Sequence, residues 1–152
     1  DDAPARTPDL ASMEQSDIVP FQEMIASMGD RSLLMTGHLD VPGLTDDGEP
    51  FSLNPEAMKY LRDTLGYDGV TVTDELAEMG AITERGISVP DAVEAALVAG
   101  NDLALYFGDV DEMNDVLDHL EEAVADGRLS EAQVDRSLAR IVALKSSDAC
   151  TN

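Results

Sequence analysis

Residues 66–79 read GYDGVTVTDELAEM, and the middle of that stretch decides the fold. Val70, Thr71, Val72 and Thr73 are β-branched in unbroken succession, which favours an extended chain over a helix. The run ends on two adjacent acids, Asp74 and Glu75. Outward from this strand, SLLMT at residues 32–36 is a second short apolar run, closed by Gly37 and His38, and DLALYF at residues 102–107 is a third. The runs at 32–36 and 70–73 read as buried strands and that at 102–107 as a third strand.

The intervening segments carry helical periods and stops. Ile18, Val19, Phe21, Met24, Ile25 and Met28 recur at helical spacing, with Pro20 in the first turn. Asn54 is placed to cap, and Pro55 to open, a helix that runs through Met58, Leu61 and Leu65 to a stop at Gly66. Residues 76–99 read as a short helix, a break at Arg85 and Gly86, and a longer helix opened by Pro90 and ended by Gly100. Two further helices are expected over 111–125 and 130–145, the second with Ser130 and Gln133 at capping-box spacing. Met24, Met28 and Met58 are expected to pack in the core. Residues 1–13 read as an incoming loop and 147–152 as a tail, leaving 14–146 as the folded unit. Strands alternating with helices imply right-handed crossovers and a parallel sheet, hence the α/β class. Three parallel strands leave open edges, so the expectation is a piece of a larger sheet.

With 43% hydrophobic residues, the 152-residue chain has enough apolar surface to offset the entropy of ordering, which excludes a disordered tail. Thirty-two acids against 9 Lys and Arg give a net charge of −23, which excludes nucleic acid and anionic membrane as partners, because both need basic patches. No apolar run approaches the roughly 20 residues of a membrane span. Lysine occurs only at Lys59 and Lys145, so the surface is a shell of hydrated carboxylates whose mutual repulsion salt would relieve, as in a salt-adapted protein. The single cysteine, Cys150, has no internal partner for a disulfide.

Reactive groups of parallel α/β folds gather at the carboxyl ends of strands. Two such ends carry useful chemistry here: His38, and Asp74 with Glu75. His38 can equally satisfy a turn by hydrogen bonding. Asp74 can also cap the helix that follows, and a carboxylate at a helix N-terminus stays ionised, which suits a nucleophile or charge stabiliser and not a proton donor. Glu75 is expected to face solvent or a neighbouring loop, in a minor role. Asp109, Asp111 and Asn114 lack the glycine and third ligand of a calcium loop, so that run reads as a solvated helix face, and no zinc-type Cys/His spacing occurs. His119, mid-helix among acids, is expected to touch solvent. No metal or cofactor is called for.

LLMTGHLDVPGL at 33–44, FSLNPEAMKYLRDTLGYDGVTVTDELAEMGAI at 51–82 and AVEAALVAGNDLALYF at 92–107 together resemble the second half of the catalytic barrel of glycoside hydrolase family three. The likeness is closest to bacterial β-N-acetylglucosaminidases, secreted and lipoprotein-type members among them. The resemblance implies a partial TIM barrel comprising roughly the last three βα units of eight, a fold typically about 250 residues long. It further implies retaining exo-hydrolysis of a terminal β-linked N-acetylglucosaminide from peptidoglycan or chitin fragments, with Asp74 as nucleophile and His38 and Met79 as substrate-binding residues. Glu75 stands where the family usually has a second Asp. The family's Asp-Ser-His acid/base triplet does not occur in this sequence, which points to a missing N-terminal half of the barrel as partner. A β-glucosidase-type member of the same family, or a non-catalytic acidic binding protein, is the alternative.

Overall fold

The computed structural model describes residues 5–45 and 48–146, so Cys150 and the tail expected at 147–152 lie outside the described residues. Helices α1 (Leu10–Met13) and α2 (Val19–Met28) precede strand β1 (Leu33–Thr36). Helix α3 (Pro55–Lys59) leads to β2 (Val70–Glu75), and α4 (Gly80–Thr83) and α5 (Val89–Ala99) lead to β3 (Leu103–Leu105). Helices α6 (Val110–Ala125) and α7 (Glu131–Ser146) follow. The three strands form one parallel sheet in the order β1-β2-β3, the α/β arrangement that the alternation implied. Among the described residues no helix is long and apolar enough to cross a membrane.

Local chemistry accounts for most element ends. The Asn54 side chain accepts a hydrogen bond from Ala57 N at 3.0 Å and Pro55 opens α3, as the sequence implied. The expected continuous helix to Gly66 instead widens into a π turn at Tyr60–Thr64 before Gly66 ends it at φ +69°. One side of the sheet is packed: Leu34 lies with Met58, Leu61 and Tyr67, while Leu76, Ile82, Val93 and Ala96 form a second cluster beneath Ala104. The other side is open, with Leu33 48% and Met35 54% exposed. β1 is therefore not the buried strand that its composition implied; a period-two backbone sends Leu33 and Met35 to the uncovered face. Likewise Met58 is buried but Met24 and Met28 are exposed, because helical spacing reports an apolar stripe and not what covers it.

Several local expectations are corrected. Leu10–Met13 forms a helical turn within the stretch read as loop, capped by the Asp9 carboxylate on Ser12 N at 2.9 Å. Ser130 does accept Gln133 N, but the Gln133 amide turns away to the Leu97 carbonyl, so only half of that capping box forms. A full box lies instead at Asp109 and Glu112, opening α6 in the run weighed as a calcium loop. His119 touches solvent as expected, and it also reaches α5. Its side chain is 23% exposed, and Nε2 lies 2.7 Å from Glu94 Oε2 of α5, off the line of a hydrogen bond.

The tightest packing lies at the entry to β2. Tyr67 is buried, with its hydroxyl 2.8 Å from the Ser32 carbonyl oxygen and 2.9 Å from that of Val70, and burial raises its pKa. A Cβ at Gly69 would stand 2.6 to 2.8 Å from atoms of that ring. Gly69→Ala is therefore expected to lower stability by about 1–3 kcal/mol through overpacking, measured by urea unfolding. An unchanged midpoint would show that the ring yields freely.

Candidate active site

The exits of all three strands meet at one edge of the sheet. β2 carries one extra residue there: Val72 pairs with Leu103, and the next registered pair is Glu75 with Leu105, so three steps on β2 oppose two on β3. Side chains alternate along β2, so the two adjacent acids face opposite sides of the sheet. Asp74 is half-buried and Glu75 is buried.

Asp74 Oδ1 accepts the Glu75 N–H at 2.8 Å, and its other oxygen has no protein hydrogen-bond partner among the described residues. Asp74 is not a helix cap, since α4 begins only at Gly80 with Met79 in the cap position. The carboxylate is thus anchored at one oxygen and open at the other, on a strand exit.

Glu75 is not in solvent, and of the two expected surroundings it has the neighbouring loop, at the β3 exit. It is 7% exposed, and its carboxylate accepts three backbone N–H groups: Ala77 at 2.6 Å, Glu78 at 2.6 Å and Phe107 at 3.1 Å. Strand alternation sets it on the buried face with Thr71 and Thr73, and the turn that follows and the β3 exit supply the donors. A charge buried without these donors would cost several kcal/mol, so they are the condition of its burial.

His38 is buried, and its ring is satisfied by partners far along the chain. Nε2 lies 2.7 Å from the Glu75 carbonyl oxygen and Nδ1 lies 2.6 Å from Ser52 Oγ. A carbonyl only accepts, so Nε2 carries the proton in the neutral ring and Nδ1 accepts from the Ser52 hydroxyl. Ser52 in turn receives Asn101 Nδ2 on its carbonyl at 2.8 Å, and Asn101 Oδ1 accepts from Thr36 Oγ1 at 2.8 Å. The exits of β1 and β2 are tied through this chain to the residue preceding Asp102 at the entry of β3. Met79, 41% exposed, presents its thioether beyond the turn.

The structure thus brings His38 and the β2 acids together, while Ser52, Asn101 and the role of Glu75 escaped the sequence reading. Ser52 and Asn101 carry no local signal, because their partners are 14 and 65 residues away. Among the described residues no group of three or more His, Cys, Asp or Glu is arranged to hold a metal ion. Chemically, the edge offers one carboxylate oxygen free to attack or to stabilise positive charge, beside a second carboxylate already saturated.

Known proteins share both the sequence and the fold of this chain. The family described as glycosyl hydrolase family 3 N terminal domain matches residues 2–144. The beta-hexosaminidase LpqI of Mycobacterium tuberculosis is 40% identical over 146 residues, covering 91% of this chain and 36% of that protein. The crystal structure of a family member from Mycobacterium smegmatis superposes with a TM-score of 0.85 at 39% identity, covering 93% of this chain and 44% of that one. A family 3 beta-N-acetylglucosaminidase from Paenibacillus gives a TM-score of 0.84 at 36% identity, covering 95% and 28% respectively. The chain spans little more than a third of the length of the mycobacterial relative.

Proposed function

Since the chain belongs to glycosyl hydrolase family 3, we propose that it serves a retaining exo-β-N-acetylglucosaminidase in which Asp74 is the nucleophile. The observation that carries this reading is the single open carboxylate oxygen at a parallel-strand exit, in a chain similar to named beta-hexosaminidases. Asp74 attacks the anomeric carbon of a terminal N-acetylglucosamine, the leaving oxygen takes a proton, and water then releases the sugar from the carboxylate. Two inversions retain the β configuration. His38 contributes to the sugar site by bracing the β1 and β2 exits with both ring nitrogens, and Met79 through its exposed thioether.

Neither histidine of the sequence stands ready to protonate the leaving group. His38 has both nitrogens engaged, and His119 sits on α6 against α5. The proton donor is supplied by polypeptide beyond these 152 residues, by the family resemblance a His oriented by an Asp. Terminal N-acetylglucosaminides of peptidoglycan or chitin fragments are the substrate class.

The test is to assay the full-length protein with chromogenic β-N-acetylglucosaminide and β-glucoside side by side while following the anomer released by NMR. Faster turnover of the N-acetylglucosaminide with first release of the β-anomer is expected. Release of the α-anomer, or a preference for the glucoside, would overturn the reading.

A further inference from the structure

Resting on the reading of Asp74 as the reacting carboxylate, we propose that Glu75 is a positioning residue, a clamp that joins the β2 and β3 exits and keeps backbone donors away from Asp74. Three observations converge on it. Its carboxylate holds Ala77 N and Glu78 N of its own turn and Phe107 N of the β3 exit. Its carbonyl receives His38 Nε2 from the β1 exit, and its N–H is the anchor of Asp74 Oδ1. All three strand exits are therefore connected through one residue, the immediate neighbour of the open carboxylate.

The clamp has an electrostatic side. Among the described residues Glu75 makes no ion pair, so its charge is held by backbone N–H groups alone. Those amides lie within four residues of Asp74 in sequence or on the adjacent strand exit. Occupied by Glu75, they are withheld from Asp74, whose second oxygen keeps its full acceptor character. A carboxylate wrapped in several N–H bonds has its charge dispersed and its pKa lowered, and both effects weaken a nucleophile. Glutamine cannot replace Glu75 here. It offers one oxygen for three donors, and its NH2 would face an N–H, donor against donor. Aspartate keeps both oxygens and the charge with one methylene less reach.

The experiment compares Glu75→Gln and Glu75→Asp with wild type in the full-length protein. In Glu75→Gln, amide hydrogen exchange at Ala77, Glu78 and Phe107 should accelerate, and kcat should fall about 100-fold with KM nearly unchanged, the size expected of a displaced reacting group. The acid limb of kcat/KM should move to lower pH, since a neighbouring negative charge is lost. Glu75→Asp should recover most of kcat and return the acid limb to its wild-type position. A wild-type kcat in Glu75→Gln, or a loss that merely tracks the folded fraction seen by circular dichroism with the acid limb unmoved, would overturn the proposal. Exchange at the three amides reads the clamp whether or not the protein hydrolyses a glycoside. Should the wild type prove inactive, the glycosidase reading fails, and unaccelerated exchange in Glu75→Gln would separately overturn the clamp.

Discussion

Asp74→Asn in the full-length protein is expected to lower kcat by roughly three orders of magnitude or more, with KM and the thermal midpoint nearly unchanged. The asymmetry of the wild-type contacts is the reason. Asp74 Oδ1 accepts the Glu75 N–H, and an asparagine carbonyl oxygen can accept that same bond, so the side chain stays where it is. The open oxygen becomes an amide nitrogen, which has no lone pair available to form a glycosyl ester. Ground-state binding of the sugar draws on the surrounding walls, so the loss falls on the chemical step. Steady-state kinetics with an aryl N-acetylglucosaminide measures it directly. Activity within about tenfold of wild type would mean that the covalent step does not run through Asp74.

The second large effect is on stability. Asp102→Asn is expected to cost about 3–5 kcal/mol, the usual consequence of breaking a buried ion pair from one side. The Asp102 side chain is fully buried and receives Arg62 Nη2 at 2.8 Å, Arg140 Nη1 at 3.2 Å, Thr71 N at 2.9 Å and Ser137 Oγ at 2.7 Å. Every one of these partners donates, so the amide NH2 of asparagine would face donors, and two guanidinium groups would lose their shared counter-charge. Burial works against the charge on Arg140, but hydrogen bonds and attraction from Asp68 and Asp102 outweigh it and raise its pKa. Asp68 is the weaker anchor because its side chain is 87% exposed. Arg62 also donates to the carbonyls of Tyr67 and Gly69, so the loss would loosen the entry to β2 as well as α7. Urea unfolding of wild type and variant checks this, and a difference below about 1 kcal/mol would show that the network adds little beyond a surface pair.

These two acids differ in how visible they are before folding. Asp74 stands out because it ends an unbroken β-branched run, and strand exits are where parallel α/β proteins place reactive groups. Asp102 follows Gly100 and Asn101 at the start of a strand with no charged neighbour in sequence, and its arginines lie 40 and 38 residues away. Glu75 shows the same gap from the other side. Beside Asp74 it reads as an acid facing solvent or a neighbouring loop, and only the fold brings the Phe107 N–H, 32 residues on, to a carboxylate that also holds Ala77 N and Glu78 N.

By itself, the sequence determined what depends on neighbours along the chain. The positions of β1, β2 and β3, the cap at Asn54, and the stops at Gly66 and Gly100 follow from torsional preference and short-range hydrogen bonding. So does the parallel α/β order, because strands separated by helices have few other ways to pair. Tertiary structure alone decided which apolar faces are covered, leaving Met24 and Met28 open and Met58 buried from similar helical spacing. It also decided that the Ser130 box forms only in part, since a carbonyl of α5 draws Gln133 away, and that of two adjacent acids one is bound and one is free. Burial, register and long-range hydrogen bonds are properties of surfaces brought together by folding, and no local stretch of sequence contains both partners.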